Sequence, residues 1–157
     1  AQNELKIVAA LAADTTLKKL TVWDINTTAD LAQIASKVLA ASVAARQNNY
    51  EQSITLFKQA IAIEDNLNYN EPPDWFFSVR HHLGAVLLKA GKYNEAEKVY
   101  QKDLQTWKKN GWALIGLYNS LVLQKKDKDA QTCKSAFDEA WQYADIQIAS
   151  SSGIVNN

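Results

Sequence analysis

The chain has 157 residues and no net charge, 17 Lys plus Arg against 17 Asp plus Glu. With 47% apolar and 22% charged residues it has the composition of a folded domain rather than a disordered segment, and no apolar run approaches the roughly 18 residues of a membrane span. One cysteine, Cys133, excludes an internal disulfide and a cysteine-based zinc knuckle, and five Gly with two Pro are too few for an all-β fold built on tight turns.

In chain order, the first element is a helix over Asn3 to about Ala13. Thr27-Thr28-Ala29-Asp30 is a capping box, opening a helical pair over 27–63 that contains Ala41, Ala44, Tyr50, Phe57 and Ala60. Residues 64–73 are polar and end in Pro72-Pro73, the composition of a long loop. From Asp74 to Ala90, apolar residues Trp75, Val79, Leu83, Val86 and Leu87 recur at spacings of three and four, predicting a helix stopped by Gly91 at its C′ position. A second helix follows from Tyr93 to Trp107, burying Ala96, Val99, Tyr100, Leu104 and Trp107. A two- or three-residue connection makes the two antiparallel neighbours. The next pair spans 110–144. From Asp145 onward the chain reads as an extended tail whose Ile146, Ile148 and Ile154 are expected to cover the last helix.

The pairs share a register. Leu83 matches Leu117, Leu87 matches Leu121 and Ala96 matches Ala130, each 34 residues apart. Tyr50 and Tyr93 are 43 apart, the excess lying in the long loop. A helix–turn–helix period of 34 is that of the tetratricopeptide repeat. Phe77 to Asn110 resembles the family pattern at Leu83-Gly84, Leu87, Tyr93, Ala96 and Tyr100, and departs from it at Arg80 and Asp103. The resemblance implies an all-α fold, a right-handed α-solenoid of antiparallel helix pairs. The expected layout is a single domain, 1–157: N-terminal helix and linker 1–26, repeats 27–63, 74–109 and 110–144, the loop 64–73 and the tail 145–157. The stretch Glu64-Asp65-Asn66-Leu67 through Pro72-Pro73-Asp74-Trp75, Arg80 and Leu83-Gly84, with Asn110-Gly111-Trp112 and Ala140-Trp141 further on, is similar to the C-terminal region of a bacterial family of longer tetratricopeptide proteins with no established role.

The charge is unevenly spread. Residues 89–134 carry ten lysines and five acids. The lysines alternate with acids at exposed helical spacings, and the chain has only Arg46 and Arg80 for bidentate phosphate contacts. A solvated helix face, not a nucleic-acid surface, is the expectation. The start, Ala1-Gln2-Asn3-Glu4, lacks a basic and apolar leader pattern and an initiator Met, so it reads as processed or excised, with cytoplasm and periplasm both open.

No catalytic constellation is visible: there is no phosphate-binding glycine loop, no nucleophile elbow, and no convergent nucleophile, base and orienter. No cofactor is expected. His81-His82 are adjacent, about 100° apart on a helix, and cannot share a metal on one face. Cys133 sits near an apolar helix face and reads as a small buried hydrophobe. Arg80 and Asp103 both fall at the helix–helix interface, where a charge must be paired. The expected pair is Arg80 with Asp103, or with a loop carboxylate such as Glu71.

The resemblance implies a non-catalytic scaffold that binds a protein or peptide along its first helices. The inner lining includes Arg46, His81, His82, Lys89, Trp112 and Asn119, with Trp112 as apolar anchor. If a histidine met an acidic ligand, affinity would fall as pH rises through about 6.5. Tetratricopeptide domains that clamp a chaperone's C-terminal carboxylates use Lys, Asn and Arg where this chain has Val38, Ser42, His82, Trp112 and Gly116, so that ligand is not expected. The alternatives are a regulatory or substrate-recruiting domain of a larger enzyme, a small-molecule or metal binder using the histidines, and self-association through an uncapped end.

Overall fold

The computed structural model describes residues 2–154. Among the described residues the fold is all-α apart from one ribbon of two two-residue strands, and the chain divides into two compact units, residues 1–79 and 80–157.

The first unit begins with α1 (Gln2–Ala12), an amphipathic helix with no fully buried residue. Its last turn leaves carbonyls without helical partners, and the Gln33 side chain donates to one of them, Ala12 O, at 2.8 Å. A 3₁₀ turn (Thr15–Lys19) leads to a small antiparallel ribbon, β1 (Thr21–Val22) and β2 (Asn26–Thr27). The three-residue loop Trp23–Ile25 contains a β-turn closed by Ile25 N–H to Val22 O at 2.9 Å, whose central residues Trp23 and Asp24 both take positive φ, 52° and 58°, as a primed turn requires. Then come α2 (Thr28–Arg46) and α3 (Tyr50–Glu64). One arm of the predicted capping box is present, since Thr27 accepts from the Asp30 N–H at 3.1 Å; in the other, the Asp30 carboxylate accepts the Thr27 hydroxyl at 2.6 Å rather than its backbone N–H. Ile34, Ala41, Ala44 and Ala45 of α2 are buried, as are Ile54, Phe57 and Ala60 of α3, and α2 packs directly on α3. Small alanines on one helix leave room for Phe57 on the other, which lets the axes approach closely.

Residues 65–78 carry no helix. Here the structure corrects the expectation of a helix from Asp74: α4 begins five residues later. The Asp74 carboxylate accepts from Asn26 Nδ2 at 2.7 Å and from Asn70 Nδ2 at 2.8 Å. Asn26 also donates to Asn68 O and accepts from Asn68 N–H at 2.7 Å, so the ribbon and the loop are stitched by one buried amide with all its hydrogen-bonding groups used. A carboxylate committed to that stitch cannot open a helix. Trp75 therefore lies outside the helix, and Phe76 is exposed.

The second unit contains α4 (Val79–Lys89, from Arg80 on), α5 (Tyr93–Thr106), α6 (Gly111–Leu123) and α7 (Asp127–Trp141). Its core joins Leu83, Ala85, Val86 and Leu87 of α4, Ala96 and Tyr100 of α5, Ala113, Leu114, Ile115 and Leu121 of α6, and Ala130, Cys133 and Phe137 of α7. Cys133 donates to Leu114 O at 3.4 Å, and burial pushes its thiol up to about 11, so it stays protonated and inert. Glu97 of α5 accepts from Lys126 at 2.7 Å and Gln124 at 2.8 Å, tying α5 to the α6–α7 turn. Burial works against its charged form, but these bonds outweigh it and hold the carboxyl below the usual range. Trp107 ends α5 as its C-cap and is 44% exposed, not a buried anchor.

The turns inside the three pairs α2–α3, α4–α5 and α6–α7 have one design. Asn48, Gly91 and Lys125 take positive φ of 59°, 73° and 58°. In each turn the next residue's N–H reaches back five residues, to Ala44, Leu87 or Leu121 O, at 2.9–3.0 Å, and the left-handed residue's own N–H bonds three back, to Ala45, Leu88 or Val122 O. This is the Schellman arrangement that closes a helix C-terminus. Gly91 and Lys125 are 34 residues apart, so the sequence period reappears in the backbone dihedrals.

Candidate peptide-binding site

The second unit presents a face made by its two first helices, α4 and α6. Behind them, Tyr100 of α5 is fully buried, and its ring fills the space where Gly84 of α4 and Gly116 of α6 lack side chains; a Cβ at either glycine would collide with the ring. The two glycines thus open a slot through which the Tyr100 hydroxyl reaches the α4–α6 face.

At the deep side of this slot lies a polar cluster. His81 Nε2 is 3.2 Å from Asp103 Oδ2, and both residues are almost fully buried. Asn110 Nδ2 lies 3.0 Å from His81 Nε2 and 3.2 Å from Asp103 Oδ2. A carboxylate only accepts, so Nε2–H donates to Asp103, and the Asn110 amide donates to the same oxygen rather than to the already protonated nitrogen. The Asn110 carbonyl oxygen caps α6 by accepting from Trp112 N–H at 3.1 Å. One asparagine therefore ties the helix start to the buried charge. The expected pair is Arg80 with Asp103, or Arg80 with a loop carboxylate such as Glu71; here the Asp103 carboxylate meets His81 and Asn110.

The tail covers the outer side. Trp141 Nε1 donates to Ile146 O at 2.8 Å, and Asn119 Nδ2 donates to Ala149 O at 2.9 Å. Ile148 packs against the core of α6 and α7. Ser151, 1% exposed, donates to His81 O at 2.9 Å and is 2.6 Å from the Tyr100 hydroxyl. A serine has one hydroxyl proton and the carbonyl can only accept, so Tyr100 must donate to Ser151. Burial pushes the Tyr100 phenol up; the Ser151 bond opposes and the Asp103 charge adds, so it remains a neutral donor. Ser152 Oγ accepts from Ile154 N–H at 3.2 Å and lies 2.8 Å from His82 Nδ1. Burial, and secondarily the neighbouring His81, lower His82 to about 4, so its ring is neutral at pH 7 and can take the Ser152 proton.

The candidate residues are thus dispersed. His81 is interior, with its ring turned to Asp103. His82 and Asn119 meet the tail. Lys89 is exposed near the end of α4. Trp112 is half-buried, its ring edge-on to Trp141 at 5.6 Å, and Trp141 stacks on Phe137 at 5.9 Å. Arg46 belongs to the first unit, exposed in the last turn of α2. The two histidines point to different partners, and among the described residues no three His, Cys, Asp or Glu side chains gather where a metal could be held. Sequence reading missed Ser151, Ser152 and the reach of the Tyr100 hydroxyl. The isoleucines drew attention instead, yet Ile146 is 53% exposed, and Ile148 alone of the three joins the α6–α7 core cluster.

No helix among the described residues is long and apolar enough to cross a membrane. No curated protein and no solved structure matches the chain. Residues 78–110, which span α4, α5 and the Asn110 cap, match the family model described as Tetratricopeptide repeat. Together with the recurrent helix pairs and turns, that match, over about a fifth of the chain, supports an all-α, tetratricopeptide-like architecture.

Proposed function

We propose that the chain is a non-catalytic scaffold that binds a protein or peptide partner on the face made by α4, α6 and the Tyr100 hydroxyl. The observation that carries this reading is that the face already holds a non-helical segment, gripping its backbone through Asn119 and its side chains through Tyr100 and His82. Peptides are recognised in this way, by hydrogen bonds to main chain with pockets for selected side chains. In this reading repeats run over 27–63, 74–109 and 110–144, and the likeness to the C-terminal region of longer bacterial tetratricopeptide proteins makes the chain one part of a larger interaction surface. Asn119 replaces the expected Trp112 as the central contact, because the Trp112 ring packs against Trp141.

The test is affinity capture of partners from the source cell. The captured partner is then titrated against Asn119→Ala and His82→Ala proteins that keep native circular dichroism. A tenfold or greater loss in either supports the face; unchanged affinity in both overturns it.

A further inference from the structure

The segment 146–152 is held as a ligand is held. Its link to α7, residues 142–147, is exposed throughout, so no core continuity fastens it. What fastens it is one apolar side chain, Ile148, two backbone carbonyls, Ile146 O held by Trp141 and Ala149 O held by Asn119, and two serine hydroxyls. The Ser151 site is the selective one. Its walls are the Tyr100 hydroxyl and the His81 carbonyl, one donor and one acceptor, and a serine supplies the matching acceptor and donor on a side chain of one carbon and one oxygen. Alanine fits the space but leaves both groups without partners. A larger side chain meets the Tyr100 ring that already fills the gap between Gly84 and Gly116. At the next position, Ser152 offers a proton to a neutral, partly buried His82. Ser150 turns its hydroxyl back on its own segment, to Ser152 O at 3.1 Å, and makes no demand on the face.

Resting on the scaffold reading above, we propose that the α4–α6 face selects a non-helical segment, bent at its serines, with an apolar residue followed, three and four positions later, by two serines, and that residues 148–152 are its resident occupant, displaced by a partner segment of the same pattern. A tether of a few residues, 142–147, presents the resident segment at an effective concentration of the order of millimolar. The intact chain therefore masks its own affinity, and a partner must compete against that concentration.

The test uses a fluorescein-labelled peptide with the sequence of residues 145–154, titrated by anisotropy into the full-length protein and into full-length Ser151→Trp, whose indole cannot enter the serine site. Binding at least tenfold tighter to Ser151→Trp is expected, with further loss of at least fivefold when the peptide carries alanine in place of the serine equivalent to Ser151, and no binding when it carries tryptophan there. A folded Ser151→Trp protein that ignores the peptide, or that binds the serine and tryptophan peptides equally, overturns the proposal. If Ser151→Trp does not fold, Ile148→Asp replaces it, since that change removes the apolar anchor and leaves the serine site intact. On the wild-type chain, millimolar peptide should shift the resonances of Asn119, His82 and Tyr100 in nuclear magnetic resonance spectra; no shift in any of them also overturns it. Partner binding that depends on Asn119 or His82 while the peptide fails would sink the serine pattern and leave the scaffold reading standing.

Discussion

At the scale of single residues, the second unit turns on the packing of Tyr100 between two glycines. Its ring occupies volume that any side chain at Gly84 or Gly116 would need, while its hydroxyl completes a buried chain of hydrogen bonds to Ser151 and His81 O. Interiors are packed too densely to absorb an inserted methyl next to a rigid ring. Gly116→Ala should therefore lower stability by about 1–3 kcal/mol, the usual cost of overpacking, in urea denaturation followed by circular dichroism. A change within about 0.5 kcal/mol would mean that the ring moves aside freely and that the slot is not a constraint. The partner of Asp103 shows what single residues reveal in sequence. That a carboxylate at an interface must be paired follows from the cost of a buried charge. That the pair is His81, one position beyond Arg80, depends on which way α4 is rotated about its axis, and one residue changes that direction by about 100°.

At the scale of elements, each helix pair is closed by the same C-terminal turn, but only Gly91 supplies it with the residue that adopts positive φ without strain. Gly91 was legible because glycine announces such a turn. Asn48 and Lys125 were not, although Asn tolerates the conformation and Lys bears its full cost, about 1 kcal/mol. Lys125→Gly should accordingly raise stability by about 0.5–1 kcal/mol, since the gain in the folded turn exceeds the extra freedom given to the unfolded chain. A parallel urea titration of the two proteins checks it, and a loss on substitution would contradict the turn geometry. The start of α4 teaches the converse. Asp74 after two prolines has every local mark of a helix N-terminus, yet its carboxylate bonds to Asn26, 48 residues earlier, and to Asn70. Capping signals are read within four residues; a competing partner can come from anywhere in the chain.

At the scale of the whole molecule, burial of the tail couples stability to pH through His82. Its folded value, about 4, lies below the 6.5 of the free side chain, so the folded state resists protonation. Its contribution is complete above about pH 6.5, declines as pH falls toward 4, and is constant below. A displacement of that size corresponds to about 3 kcal/mol, an upper figure because the ring is partly reached by solvent. The groups around it are His81, Asp103 behind His81, and the Ser152 hydroxyl. Carboxylates titrate in the same window, so the measurement is the difference between wild type and His82→Gln in urea titrations at pH 7.5, 6 and 4.5. The destabilisation of wild type on acidification should exceed that of His82→Gln; parallel behaviour of the two proteins would show that His82 is not held neutral by the fold. This reverses the dependence expected of a histidine on an acidic ligand, because burial, and secondarily the neighbouring His81, sets the direction of the His82 shift.

The sequence by itself determined the helix pairs, their 34-residue register, the Thr27–Asp30 cap and the Gly91 turn. Each of these is written in residues no more than one repeat apart, and each follows from periodicity or from the conformational limits of a single residue type. Only the tertiary structure decided that the α4–α6 face is occupied by Ser151 and Ser152, which meet His81 and His82 across 70 residues of chain. Serine carries no periodic or hydrophobic signal of burial. Its place in the interior depends on hydrogen-bond partners that two glycines and a tyrosine from three different helices bring within reach, and that coincidence exists only once the helices have packed.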